Sequence, residues 1–205
     1  MIGIIDYGLG NLSSVLNAFK RITTEVEVFS DPKKTKIYSK LVLPGVGSFK
    51  SGMDLLKNKN WVPEIKSYVT TGKPLLGICL GMQLLFSKGE EDGVSEGLDL
   101  ISGNVTKMKV DKNLKLPHVG WNNLIIKKKH PLFENIKEGI DFYFVHSYIC
   151  IPHEKEDIQA EVFYGDNFVS CVAKKNVFGA QFHPEKSMPS GMILLKNFIE
   201  WKFEC

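Results

Sequence analysis

Residues Pro74–Leu85 read P-L-L-G-I-C-L-G-M-Q-L-L, and this segment leaves a chain few ways to fold. An apolar run suited to a buried strand ends at Gly77, a cysteine follows between two glycines in Gly77-Ile78-Cys79-Leu80-Gly81, and a helical pattern is expected from Met82. The arrangement is the thiol counterpart of the G-x-S-x-G elbow, in which a sharp strand-to-helix turn lifts a side chain above a sheet. Glycines flank such a turn because a Cβ there would strike neighbouring backbone. A helix opening just after Cys79 would aim its first N–H groups at the sulfur and favour the thiolate. Two readings stay open on this segment alone: a reactive cysteine, or a buried inert one.

A second segment, Val177–Ser187, reads V-F-G-A-Q-F-H-P-E-K-S. It is another apolar run, ending in His183-Pro184-Glu185. In an extended chain residues i and i+2 face the same way, so His183 and Glu185 are expected to point into one site. Pro184 removes a backbone donor, which a strand end tolerates and a helix does not. A thiol nucleophile needs a base to take its proton and an acceptor to hold that base in one tautomer. Cys79, His183 and Glu185 supply those three groups.

With these segments the chain resembles the class I (triad) glutamine amidotransferases, whose nucleophile and His-Glu motifs G-I-C-L-G-M-Q and Q-F-H-P-E match. Leu43–Met53, L-P-G-V-G-S-F-K-S-G-M, resembles the family's oxyanion strand. Pro117–Asn122, P-H-V-G-W-N, and Tyr143–Tyr148, Y-F-V-H-S-Y, resemble segments typical of amidotransferase subunits of imidazole glycerol phosphate synthase, as does the opening I-D-Y-G-L-G-N-L. The matches keep the family order from residue 4 to residue 187.

The resemblance implies a reaction and a set of roles. Cys79 attacks the side-chain carboxamide of glutamine with His183 as base and Glu185 as its partner. A γ-glutamyl thioester forms, ammonia leaves, and water releases glutamate. The oxyanion is expected to meet backbone N–H groups of Leu80 and of the Val46–Gly47 region, although Pro44–Gly47 also reads as a plain strand-ending turn. Gln83, His146, Ser147 and Tyr148 correspond to substrate-binding positions, and each also fits an ordinary polar role. Asn11, Trp121, Asn122, Tyr143 and Lys186 correspond to positions toward the partner and the ammonia exit, or are simply aromatic and surface residues. His118 and His146 lack the adjacent carboxylate of His183 and read as structural or interface histidines. No cofactor or metal is implied.

The sequence continues only a short way past the His-Glu motif and has no G-x-x-x-x-G-K-[ST] loop, so an acceptor-activating partner is expected. In the family this is a (β/α)8-barrel cyclase in a 1:1 heterodimer, which uses the ammonia in histidine biosynthesis. Three other readings remain: a paralogue feeding ammonia to a surface-sugar synthase, a stand-alone thiol γ-glutamyl hydrolase, and a non-catalytic scaffold.

Composition fits one globular domain, residues 1–205, with 43% hydrophobic residues. A net charge of +3 argues for neither nucleic acid nor an acidic surface, and the basic run Lys127-Lys128-Lys129-His130 reads as a solvated turn. No apolar stretch approaches the roughly 20 residues of a membrane span. M-I-G-I-I-D reads as a first strand and not as a leader. Cys79, Cys150, Cys171 and Cys205 show no C-x-x-C spacing, which fits a reduced cytoplasmic protein without a zinc site.

Strands are expected at Met1–Asp6, Glu25–Phe29, Lys40–Leu43 and Leu75–Ile78, and helices near Leu12–Ile22, Ser48–Lys57, Trp61–Thr70 and Met82–Phe86. That alternation implies an α/β fold, a mostly parallel open sheet flanked by helices in a flavodoxin-like arrangement. The second half adds strands at Gly103–Val110, Leu124–Lys127, Asp141–Tyr148, Ile158–Tyr164, Phe168–Ala173 and Val177–Phe182. A helix at Gly191–Lys202 closes the fold. Glu90–Gly97 reads as a polar, mobile loop.

Overall fold

A computed structural model describes residues 1–203, so Cys205 lies outside the described residues. Strands β1 (Ile2–Ile5), β2 (Val26–Phe29), β3 (Lys40–Leu43) and β4 (Leu75–Ile78) lie parallel, with β1 between β2 and β3. Helices α1 (Leu12–Lys20), α2 (Phe49–Asn58) and α3 (Trp61–Val69) connect them. Alternation along each strand divides the core between the two faces. Ile2, Ile4, Val42, Leu76 and Ile78 pack with α1, whereas Ile5, Leu41, Leu43 and Leu75 pack with α2 and α3.

The chain then leaves this parallel unit and returns to it. After α4 (Leu80–Leu84) come β5 (Phe86–Gly89), β6 (Ser95–Glu96), β7 (Ile101–Lys107), β8 (His118–Ile126), β9 (Asp141–His146), β10 (Tyr148–Pro152), β11 (Ile158–Phe163) and β12 (Asn167–Lys174). The last strand, β13 (Val177–Ala180), runs parallel to β4 and antiparallel to β12. It therefore sits mid-sheet in the order β2-β1-β3-β4-β13-β12-β10-β7-β5-β6. A branch runs from β12 through β11 to β8 and β9. Helix α5 (Ser190–Glu200) packs Leu194, Leu195 and Phe198 on the α1 side.

Several elements depart from the sequence reading. The helix expected at Met82–Phe86 starts at Leu80 and stops at Leu84, and Phe86 already belongs to β5. The strand expected at Leu124–Lys127 already begins at His118 and so takes in most of the P-H-V-G-W-N segment. Asp141–Tyr148 splits at Ser147 into β9 and β10, which join different neighbours, β8 and β7. Glu90–Gly97 is tied down, since β6 pairs with β5 and Glu91 Oε2 accepts the Phe49 N–H at 3.0 Å. The Lys127–His130 run is partly anchored: Lys127 pairs with Glu161 at 2.8 Å, and the His130 ring packs against Phe178 and Trp201. Among the described residues no helix is long and apolar enough to cross a membrane.

Candidate active site

Cys79 stands at the carboxyl end of β4 with φ 53° and ψ −110°, a left-handed turn that a side chain rarely adopts. Its N–H donates to Ala180 O at 2.8 Å, which ties the turn to β13. Both flanking glycines are required by close approach. A Cβ on Gly77 would lie 2.7 Å from Gly81 O, and one on Gly81 would overlap Leu43 O. The strand-to-helix turn is thus wedged against β3. Helix α4 has only five residues, and the Cys79 side chain makes no capping hydrogen bond to its first turn.

His183 follows β13, and its Nδ1 lies 2.8 Å from Glu185 Oε1. The two do not share a strand face as expected. His183 is extended, but Pro184 opens a single 3-10 turn over Pro184–Lys186, and that turn carries the carboxylate under the ring. Ser187 holds the turn: its Oγ donates to His183 O at 2.6 Å and accepts the Tyr143 N–H at 2.9 Å, while the His183 N–H donates to Tyr143 O. Glu185 has a side chain only 1% exposed. Burial by itself lowers the His183 pKa, yet the Cys79 sulfur and the Glu185 carboxylate outweigh it and lift the value from 6.5 to about 10.

A cavity of about 250 Å³ opens over the sulfur, lined by Val46, Gly47, Cys79, Leu80, Gln83, Glu91, Val145, His146, Ser147, Tyr148, His183 and Lys186. It lies at the carboxyl ends of β3, β4 and β13, where open α/β sheets bind ligands. The cavity brings together every residue that the sequence assigned to the oxyanion and substrate positions. Gly47 has φ +99° with open space where a Cβ would stand, and Val46 is exposed. Gln83 is held by two bonds, its Nε2 donating to Gln181 Oε1 at 3.1 Å and to Tyr148 O at 3.3 Å.

Of the remaining sequence candidates, only Lys186 reaches the cavity, with its Nζ 5.4 Å from the Tyr143 ring centroid. Trp121, 51% exposed, packs against Tyr143 across β8 and β9 at 5.7 Å between centroids. Asn122 bonds inward to His118 Nε2 at 2.8 Å, and Asn11 accepts the Ser14 N–H as the N-cap of α1. His118 and His146 form a buried pair, Nδ1 to Nε2 3.2 Å. Burial lowers the pKa of both, that of His146 to about 4.

Two residues at the site carry no assignment from the sequence. Glu91 belongs to the loop read as mobile, and its only signal was an acidic run, Glu90-Glu91-Asp92, between two glycines. Burial raises its pKa, which its bond from the Phe49 N–H partly offsets. Gln181 is part of the quoted Q-F-H-P-E motif, but nothing in that string says that it turns toward the sulfur. Among the described residues no group of three or more His, Cys, Asp or Glu could hold a metal ion.

Comparison with known proteins places the whole chain. The family profile described as glutamine amidotransferase class-I matches residues 3–201. Imidazole glycerol phosphate synthase subunit HisH of Sulfurimonas denitrificans is 47% identical over 205 residues, covering 98% of this chain and 99% of that protein. The HisH subunit of Caldanaerobacter subterraneus is 48% identical over 200 residues, with 98% of each chain covered. Among solved structures, a glutamine amidotransferase superposes with a TM-score of 0.75 at 18% identity, covering 97% of both chains. The chain belongs to the class I glutamine amidotransferase family, in the branch that includes the HisH subunits of imidazole glycerol phosphate synthase.

Proposed function

We propose that this chain is the glutaminase subunit of imidazole glycerol phosphate synthase, with Cys79, His183 and Glu185 as its triad. The observation that carries the reading is the strained Cys79 elbow facing the buried His183–Glu185 pair across a cavity of glutamine size. The Cys79 sulfur bonds to the carboxamide carbon of glutamine, and the carbonyl π electrons move onto oxygen. N–H groups of Leu80 and of the Val46–Gly47 segment receive that oxyanion, each such donor being worth about 100- to 1,000-fold in rate. His183 gives its proton to the departing nitrogen, the C–N bond breaks, and ammonia leaves with the γ-glutamyl thioester in place. His183 then takes a proton from water, the hydroxide displaces sulfur, and glutamate is released. Glu185 keeps the His183 Nδ1–H oriented so that Nε2 faces the reaction.

Gln83, His146, Ser147 and Tyr148 form the substrate wall, and the Glu91 carboxylate pairs with the α-ammonium of glutamine. The outer face of β8 and β9 presents Val119, Trp121, Tyr143 and Val145 in register, and Val145 also lines the cavity. This continuous apolar face suits the (β/α)8 cyclase in a 1:1 heterodimer, with Lys186 at the cavity beside it; Asn122 follows Trp121 on β8 and points to the opposite face, and Asn11 caps α1, so neither belongs to it. Glutamate release, measured for the subunit alone and with its cyclase and phosphoribulosyl ligand, is expected to rise sharply in the complex and to vanish in Cys79→Ala. Full activity of the lone subunit would refute the dependence on a partner, and activity in Cys79→Ala would refute the triad.

A further inference from the structure

Cys79 has a second polar neighbour besides His183. Gln181, wholly buried just after β13, turns its Nε2 to Cys79 Sγ at 3.8 Å. An amide can be rotated end for end, so the bonds on its far side decide whether nitrogen or oxygen meets the sulfur. Tyr148 O can only accept, which fixes Gln83 Nε2 toward it at 3.3 Å. The second hydrogen of that Nε2 goes to Gln181 Oε1 at 3.1 Å. Reversing Gln181 would set two NH2 groups against each other. Its N–H is therefore locked onto the sulfur, and Gln83 keeps only its own oxygen free for the cavity.

We propose that Gln181 donates to the Cys79 sulfur and stabilises its anionic form, with Gln83 as the positioning residue that fixes the orientation of that donor. The proposal deepens the glutaminase reading and rests on Cys79 as nucleophile. A charge-assisted bond to sulfur strengthens as the thiol gives up its proton, while the same N–H gains little from the neutral thiol.

The test uses the full chain and reads the thiol directly, by its alkylation rate with iodoacetamide at neutral pH and by thiolate ultraviolet absorbance with Cys79→Ala as blank. Gln181→Met keeps the length and removes the donor, and should slow alkylation about tenfold with a matching loss of absorbance. Gln83→Met leaves Gln181 in place and removes the bond that fixes its orientation. It should slow alkylation about threefold, roughly in line with losing part of one bond's net contribution. If Gln181→Met does not fold, Gln83→Met is read in its place. Wild-type rates and absorbance in either the Gln181 or the Gln83 variant overturn the proposal. Neither readout requires glutamine, so failure of the glutaminase reading would show separately as absent glutamate release.

Discussion

At Cys79 the backbone is held at φ 53°, ψ −110°, a conformation that costs on the order of 1–3 kcal/mol and persists because β3, β4 and β13 surround it. The glycines leave no slack. Gly81→Ala should abolish the packing of the elbow against Leu43 and lower the urea midpoint severely, with alkylation of Cys79 altered even in any folded fraction. Tyr7 makes the opposite case. Its hydroxyl is buried without a partner among the described residues, and burial together with the Cys79 charge raises its pKa. Tyr7→Phe is therefore expected to leave stability unchanged or raise it, and a loss above about 1 kcal/mol in denaturant titration would contradict that. For His183 the sign follows from a folded pKa near 10 against 6.5 when unfolded. Its contribution to stability is complete below 6.5 and fades as pH rises toward 10. Glu185→Gln removes part of that lift and should flatten the decline over this window, as followed by unfolding midpoints against pH.

Among the elements, the turn after β13 matters most, and it illustrates where the sequence is readable. The motif named His183 and Glu185 correctly as one unit, because spacing alone places them within reach. It could not say that a 3-10 turn makes the contact, since that geometry depends on Ser187 and on the Tyr143 backbone of distant β9. Ser187→Ala should cost about 1–3 kcal/mol by leaving the Tyr143 N–H unpaired, and should lower the rate of glutamate release more than the affinity for glutamine. The parallel strands were legible from their apolar runs, as were α1 and α2 from their periodicity. β5 and β6 were not, because Phe86–Gly89 and Ser95–Glu96 are short, polar and paired only through tertiary contacts. Glu91 escaped notice for the same reason: it becomes a cavity residue only once β6 folds the loop back over α2. Glu91→Gln keeps a cap acceptor for Phe49 and removes the charge. It is expected to raise KM for glutamine about tenfold or more with little change in melting temperature.

Over the whole molecule, His118, His130 and His146 are held neutral by burial, so acid should unfold the chain through them. Folded pKa values of about 4 for His130 and His146 lie below the ordinary 6.5, so their contribution is present above 6.5 and is lost as pH falls toward 4. His130→Asn, which keeps a cap acceptor for the Leu132 N–H, should lessen that acid limb in a pH series of unfolding midpoints. Much of the cavity lining was legible residue by residue, Glu91 and Val145 excepted, but not as a place, because its walls come from segments near residues 46, 80, 91, 147 and 183. That dispersal has a consequence for the protein as it is being made. β13 enters between β4 and β12, so a growing chain holds its cysteine strand beside an empty slot until residues 177–180 have been synthesised. A chain that stops short of β13 thus carries its elbow cysteine without the imidazole and carboxylate that follow that strand.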